Sequence, residues 1–458
     1  MILKRLARKG GLRLIMKGDV SKAHRRIKTR REDWAIQACR LDDPEELYLN
    51  KVGTFGVGSA SYWYGRCFAG IGRLALYAIP VGEEFWQLLF ADDACWLAQG
   101  PNAMHFIVQS ILIMVIFGVP FSWPKFGGGC QVEWVGYWID VRSYGIGLSA
   151  KRAKWMADWL TDQLVKGAVM VGNVADVLGR LSFSAAAIEE IRPFLGPVYA
   201  FVAALQPHAY VELPGMVKII FTYLRFIFGD EVFYQATALP AGNSNGKVRA
   251  DAKAQGNEVA VGGWIVPESG NTKEAAWYGL RLSKPTAPWA YAAGEPFRTI
   301  ASLELYATLL CIVVFDLKGE EGCLLQLAGE TDNGGNPYVT SRMMTTKWPL
   351  AAILMEVGIQ MRIRQLELNL GWIPRLQNIE ADAITNSEYA HFDDKNRVIT
   401  SVEKLNQQFV VLPLLLEAGQ EFMLGIKEAK EAEPKRDTIP KKRRKRPMKD
   451  RLRATDPW

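Results

Sequence analysis

A turn-rich stretch near the middle of the chain, Ala238–Lys247 (ALPAGNSNGK), separates two segments of different hydrophobic rhythm. Its Gly, Pro, Asn and Ser residues supply turns and no periodic apolar face, so it reads as a linker. Ahead of it, within 149–206, SAKRAKWMADWLTDQLV and NVADVLGRLSFSAAAIEEI carry apolar residues at helical spacing. Behind it, Val259–Val266 and Ala276–Leu282 are strand-like, Ile300–Val314 reads as a helix and Cys323–Leu327 as a buried strand. A chain of 458 residues has length for two to three domains. No repeat at solenoid spacing is visible.

Charge is concentrated at the two ends. Residues 1–31 hold twelve Lys and Arg against the single acid Asp19. Residues 434–458 hold eleven against Asp437, Asp450 and Asp456, so a formal net charge of +7 conceals an acidic body. Basic ends attract polyanions such as nucleic acid. From about residue 428 the apolar periodicity is lost and a flexible tail is expected. Within it, Lys441–Arg446 is an unbroken basic run, and Lys441–Lys449 fits a nuclear-import signal or a nonspecific nucleic-acid arm. Nucleus or cytoplasm is the expected location.

Several chemistries are disfavoured at once. The six cysteines form no CxxC pair, and the four histidines form no HExxH, which argues against a zinc knuckle, a thioredoxin motif and a zincin site. The N-terminus has no apolar run long enough for a signal peptide. Met104–Trp123 is free of charge over a length that spans a bilayer. His105, Gln109, Ser110, Gly118 and Ser122 interrupt it, and Pro120 breaks its last part. A shorter buried helix followed by an extended piece is therefore predicted, with no membrane partner.

The remaining signal is carboxylates. In FWQLLFADDACWLAQG, Asp92 and Asp93 lie between two apolar runs, as at the tip of a β-hairpin. A surface turn explains an isolated Asp-Asp pair, and Asp42–Asp43 and Asp393–Asp394 are two more. Company distinguishes the first pair. Asp19 follows a strand-like Leu12–Lys17, and TFGVGSASYWYGR is a Gly-rich turn entering an aromatic helix. GVPFSWPKFGGG, with Lys125, and VEWVGYWID follow downstream. In this order the segments resemble the palm of a reverse transcriptase.

The resemblance implies roles residue by residue. Asp19 matches the first catalytic aspartate, and Phe90-Ala91-Asp92-Asp93 matches the aromatic-x-Asp-Asp box. Phe55, Gly56, Val57 and Ala60 match the loop and helix under the template and incoming nucleotide. Lys125 matches the lysine that follows the box, and Trp134–Gly136 the primer-grip hairpin. Asp19 and Asp92 would be the principal metal ligands for two-metal nucleotidyl transfer, with Asp93 assisting. Two departures stand out. His24 occupies the position where the family has Tyr or Phe against the sugar, which puts sugar discrimination in doubt. Only 18 residues precede Asp19, where the family has a whole fingers subdomain. A truncated or decayed copy is expected on that ground.

A second set follows the linker. VRADAKAQGNEVAVGGWIV places Asp251 at the end of a short strand, before a turn and a second strand, and IASLELYATLL places Glu304 in a helix. LLQLAGETDNGG puts Asp332 at another strand end, and WIPRLQNIEADAITN puts Asp382 in a final helix. Four carboxylates so placed can converge on two hard cations. In order, Asp251, Glu304, Asp332 and Asp382 resemble the acidic tetrad of ribonuclease H, and Asn378–Asp382 its closing motif. Pro374-Arg375-Leu376-Gln377 stands where that family has a His-containing loop.

The two resemblances together imply an α+β palm, an antiparallel sheet with helices, then a helical thumb or connection and an α/β ribonuclease H-like domain. The expected divisions are 1–18 as a basic remnant of fingers, 19–148 as palm and 149–240 as thumb or connection. Residues 245–400 would be ribonuclease H-like and 401–458 a C-terminal extension with a basic tail. The style is nearest to retroelements of the DIRS or plant pararetrovirus sort. The implied function is RNA-directed DNA synthesis by a mobile-element protein, coupled to hydrolysis of RNA in RNA–DNA hybrids. Mg²⁺, or Mn²⁺ in its place, is the implied cofactor. Primer–template, RNA–DNA hybrid and dNTPs are the implied partners. The alternative is a decayed element protein that binds nucleic acid without polymerising, with or without hybrid cleavage.

Overall fold

The computed structural model describes residues 13–40, 46–54, 57–229, 234–236, 239–319 and 323–432. Phe55, Gly56 and the basic run Lys441–Lys449 lie outside the described residues. The chain is a mixed α/β protein whose residues fall into two compact units, 1–149 and 150–458.

The first unit is built on an antiparallel sheet. Its strands are β1 (Arg13–Asp19), β2 (Phe85–Phe90), β3 (Asp93–Gln99) and β4 (Gly127–Gly129), in the order β2-β3-β1-β4. Helix α1 (Gly58–Tyr77) and helix α2 (Ala103–Ile116) supply Tyr64, Phe68, Ala75, Phe106, Ile107 and Met114 to the core around Trp96. The uncharged run at 104–123 thus becomes a 14-residue helix, too short to cross a bilayer. Gly118 follows at positive φ, and Phe121 bridges to Val20. Strands β5 (Gln131–Trp134), β6 (Tyr137–Asp140) and β7 (Gly145–Leu148) form a meander. Val135 and Gly136 make its first turn, both at positive φ, the conformation of a two-residue hairpin loop.

The second unit begins with four helices: α3 (Ala150–Lys166), α4 (Val171–Ser184), α5 (Arg192–Ala204) and α6 (Gly215–Gly229). A five-stranded sheet follows. It consists of β8 (Leu239–Gln255), β9 (Glu258–Ile265), β10 (Trp277–Leu282), β11 (Cys323–Thr331) and β12 (Leu366–Trp372). Their order is β10-β9-β8-β11-β12; the first three are antiparallel, and β11 and β12 run parallel to β8. The expected linker is therefore part of a strand. Leu239 already pairs with Cys323, and the turn-forming residues are absorbed in an irregularity between Pro240 and Asn245.

Successive residues of a strand face opposite sides of a sheet. Gly262 and Gly263 use this to admit one helix on each side. A Cβ on Gly262 would press into Ile384 of α10 (Ile379–Thr385), and one on Gly263 into the sulfur of Cys311 in α7 (Ile300–Val314). Helix α7 is apolar all round and buried from Ser302 to Val313, as a helix in the middle of a core must be. With the preceding turn, Pro296–Val314, it is the one described helical stretch long and apolar enough to cross a membrane, and it is largely enclosed by protein.

Further helices are α8 (Asn336–Arg342), α9 (Leu350–Ile363) and α11 (Leu412–Ala432), with a short one at Val402–Asn406. Helix α10 is thus not the last. Helix α9 carries Glu356, fully buried among Leu350–Ile359. Its carboxylate accepts hydrogen bonds from the backbone N–H groups of Val410, Val411 and Leu412, each at 3.0 Å. Gln360 Nε2 adds a fourth at 2.7 Å. The otherwise unpaired N–H groups at the start of α11 find their acceptor there. Glu356→Ala removes that acceptor from buried donors. It is expected to cost about 3 kcal/mol or more in urea unfolding. A loss under about 1 kcal/mol would mean that water replaces the carboxylate. Nearby, Arg362 Nη1 pairs with the buried Glu190 at 2.9 Å, tying α9 to the helical segment.

Candidate active sites

In the first unit, β1 and β3 pair with Asp19 directly opposite Asp93. Directly opposed residues of an antiparallel pair share a face, so both carboxylates line one recess with Lys17, Gly18 and Lys125. The hairpin places Ala91 and Asp92 in the turn, Ala91 at φ 52°, and Asp93 at the start of β3. The two neighbouring aspartates are therefore not equivalent. The carbonyl of Asp92 accepts from Val20 N–H at 2.9 Å, and that of Asp19 from Ser122 N–H at 2.7 Å. These bonds pin the strand end to the hairpin tip.

Lys125 Nζ donates to Asp19 Oδ2 at 2.9 Å, and this contact raises the Lys125 ammonium above its ordinary range. Burial, then Asp92 and Asp19, raise the Asp93 carboxyl. Tyr64 of α1 is a residue that sequence reasoning passed over. Its hydroxyl is buried without a hydrogen-bond partner. Burial, then the charges of Asp92 and Asp19, hold its phenol up. His24 meets the Tyr64 ring edge-on, centroids 5.6 Å apart. Asp19, Asp92 and Asp93 do not gather ligand atoms as a metal triad does, and Lys125 already supplies a positive charge to Asp19.

The second unit differs in this respect. Among the described residues, the group of three or more ligand side chains that converges is Asp251, Glu304 and Asp332, with one atom from each within 4.8 Å of the others. Asp251 does not end a short strand as expected: it lies inside the central strand β8, opposite Gly262, because pairing with β9 continues to Gln255. Glu304 comes from α7, and Asp332 is the first residue beyond β11. Asp251 and Glu304 are only 5% and 6% exposed. Thr385 Oγ1 donates to Asp251 Oδ2, and Thr331 Oγ1 to Glu304 Oε2, each at 2.9 Å. Asn378 Nδ2 donates to the Ala250 carbonyl at 3.1 Å, fixing the start of α10 against β8.

Burial, then Asp251 and Asp332, push the Glu304 carboxyl up to about 9. Burial, with Asp332 and Asp382 adding, pushes Asp251 up to about 6. Asp332 Oδ1 is buried with no hydrogen-bond partner. Three converging carboxylates with an orphaned oxygen fit a divalent hard cation bound through oxygen. Asp382 is close enough to raise Asp251 but stands outside the triad. Its Oδ1 accepts from Arg375 Nη2 at 2.8 Å and its Oδ2 from Asn386 Nδ2 at 2.9 Å. Sequence reasoning missed the two threonines and Asn386; their only signal was proximity to the acids.

The raised carboxyls set a pH dependence. Folded pKa values above the unfolded ones mean that the native state binds more protons between the two values. With a chelator present, stability is therefore fully kept below about pH 4, the ordinary carboxyl range. It is lost as pH rises through about 6 for Asp251 and about 9 for Glu304. Melting temperature should fall from pH 5 to 9 without metal, and Mg²⁺ should raise it most at the alkaline end. A Mg²⁺ effect equal at both pH values would separate these carboxyls from cation binding.

No family model matches the chain, and no curated protein matches it. Among solved structures it is similar to a foamy viral protease–reverse transcriptase in complex with double-stranded DNA, at TM-score 0.40 and 11% identity. That match covers 81% of this chain and 59% of the other. A second foamy viral protease–reverse transcriptase, in complex with RNA/DNA hybrid, aligns at TM-score 0.38 and 11% identity, covering 81% and 45%. LC11-RNase H1, in complex with RNA/DNA hybrid, aligns at TM-score 0.25 and 17% identity over 31% of this chain and 95% of its own. The chain spans less than two thirds of the length of the first two.

Proposed function

We propose that the chain is a nucleic-acid phosphoryl-transfer protein whose second unit hydrolyses the RNA strand of RNA–DNA hybrids with Mg²⁺. The convergence of Asp251, Glu304 and Asp332 at the centre of the five-stranded sheet carries this reading. A divalent cation held by those carboxylates would supply a lowered water pKa and charge neutralisation at a phosphate. The chain's own residues do the rest. Thr331 and Thr385 fix the orientation of Glu304 and Asp251. The sheet and α7 bury Asp251 and Glu304, which are 5% and 6% exposed. Arg375, largely exposed, offers a planar guanidinium to a phosphate group.

The test is cleavage of a labelled RNA–DNA hybrid by the full chain. The RNA strand should be cut with Mg²⁺ and left intact with chelator, and double-stranded DNA should be left intact throughout. Folded protein that binds Mg²⁺ and leaves the hybrid whole would end this reading.

A second activity rests on a separate observation: Asp19 and Asp93 stand in register with Lys125 beside them. With divalent cations held by the two carboxylates, the recess and the Lys125 ammonium would suit a nucleotide triphosphate and a primer end. We assign RNA-directed DNA synthesis to the first unit on that basis, with Asp92 in the hairpin turn as the third acid. A binding protein without polymerisation is the reading that survives if extension is absent.

A further inference from the structure

We propose that Arg375 gates the hydrolytic site, so that a second divalent cation is admitted only when Arg375 leaves Asp382. This rests on the hydrolytic reading above and adds an order of loading to it. The two ends of the cluster are unequal. At Asp332 one carboxylate oxygen is buried and without a partner. At Asp382 both oxygens are engaged, Oδ1 by Arg375 Nη2 at 2.8 Å and Oδ2 by Asn386 Nδ2 at 2.9 Å.

The two partners of Asp382 differ in how firmly they are held. Asn386 Nδ2 also donates to the Asp382 carbonyl at 2.9 Å, within one turn of α10. It belongs to the helix end and carries no charge. Arg375 sits on a short turn, Arg375–Gln377, and its side chain is 77% exposed. Little packing opposes its movement. A guanidinium and a divalent cation on one carboxylate repel each other, so each weakens the other's hold. A phosphate offers the guanidinium a bidentate alternative of the same charge as the carboxylate. A nucleic-acid strand arriving at the cluster would draw Arg375 from Asp382 and open the second cation position at that moment. Among the described residues, the first position, at Asp251, Glu304 and Asp332, has no such guanidinium on its carboxylates.

The experiment is titration of the full chain with Mn²⁺ in the absence of nucleic acid, reading free Mn²⁺ by its paramagnetic resonance signal. Wild type should bind one ion tightly and a second weakly. Arg375→Ala and the closer-shaped Arg375→Gln should bind the second about two- to fivefold more tightly, the range expected for one exposed ion pair. The first ion should be unchanged in both, which also reports that the site is folded. Arg375→Lys, which keeps the charge, should stay near wild type. Asp382→Asn should lose the second ion alone. Identical second-ion isotherms in wild type, Arg375→Ala and Arg375→Gln would overturn the gate while leaving the hydrolytic reading intact. Absence of even the first ion from folded wild type would overturn the hydrolytic reading itself, and the gate with it.

Discussion

Glu304→Gln is expected to abolish Mg²⁺-dependent cleavage of an RNA–DNA hybrid without unfolding the protein. The carboxylate is 6% exposed and sits beside Asp251 and Asp332. Its loss removes a charge from the cation position. A bound cation contributes several kcal/mol to a phosphoryl-transfer transition state, so a fall of about a thousandfold or more is expected. Stability should move the other way. Burial disfavours the ionised Glu304, whose carboxyl is pushed up to about 9. A neutral amide keeps an acceptor for Thr331 Oγ1, which donates to Oε2 at 2.9 Å. In chelator at pH 8, the variant should therefore melt no lower than wild type. Cleavage within tenfold of wild type would place hydrolysis somewhere other than this cluster.

Asp19→Asn makes the complementary case. It should remove extension of a DNA primer on an RNA template, again by about a thousandfold, and leave hybrid cleavage within twofold of wild type. The backbone bond from Ser122 N–H to the Asp19 carbonyl, at 2.7 Å, does not depend on the side chain, so the strand end stays in place. Lys125 loses its charged partner, and Asp93 loses one of the charges that raise its carboxyl. Glu304→Gln should show the reverse pattern, with extension kept and cleavage lost. Extension that persists in Asp19→Asn would show that the opposed aspartates of β1 and β3 are not its site.

The order of the acidic residues was legible in the chain, but their local settings differ: Asp332 follows a strand, Glu304 interrupts an apolar helix, and Asp251 stands inside a strand with no apolar run before it. What the chain did not show is that the atoms of these three converge. The Gly262–Gly263 pair marks where two helices press on a strand. Asp382 shows where that kind of reading stops. Its place in a helix could be inferred, but not that Arg375 and Asn386 would occupy both its oxygens and keep it out of the triad. The family resemblance ranks Asp92 with Asp19 and leaves Asp93 to assist, whereas the register of the hairpin puts Asp93 opposite Asp19 and Asp92 in the turn. Ala238–Lys247 misled for a related reason. Turn-forming residues lower intrinsic strand preference, yet the pairing of β8 with β11 continues past them to Leu239. Glu356 gave no warning at all: an acid within LAAILMEVGIQ has three of its four donors more than fifty positions away.

That last contact bears on evolution and on modularity. A sheet that carries a converging acidic cluster invites treatment as a cassette, passed between proteins and excised after α10. Here the cassette has no clean edge. A chain cut at residue 400 would take away Val410, Val411 and Leu412, and with them three of the four donors to a carboxylate sealed inside α9. Recombination that moved the acidic cluster to a new host would have to carry the C-terminal helix as well, or first replace Glu356 with something that can live in an apolar core. On the proposed function, α11 would have to travel with the acidic sheet.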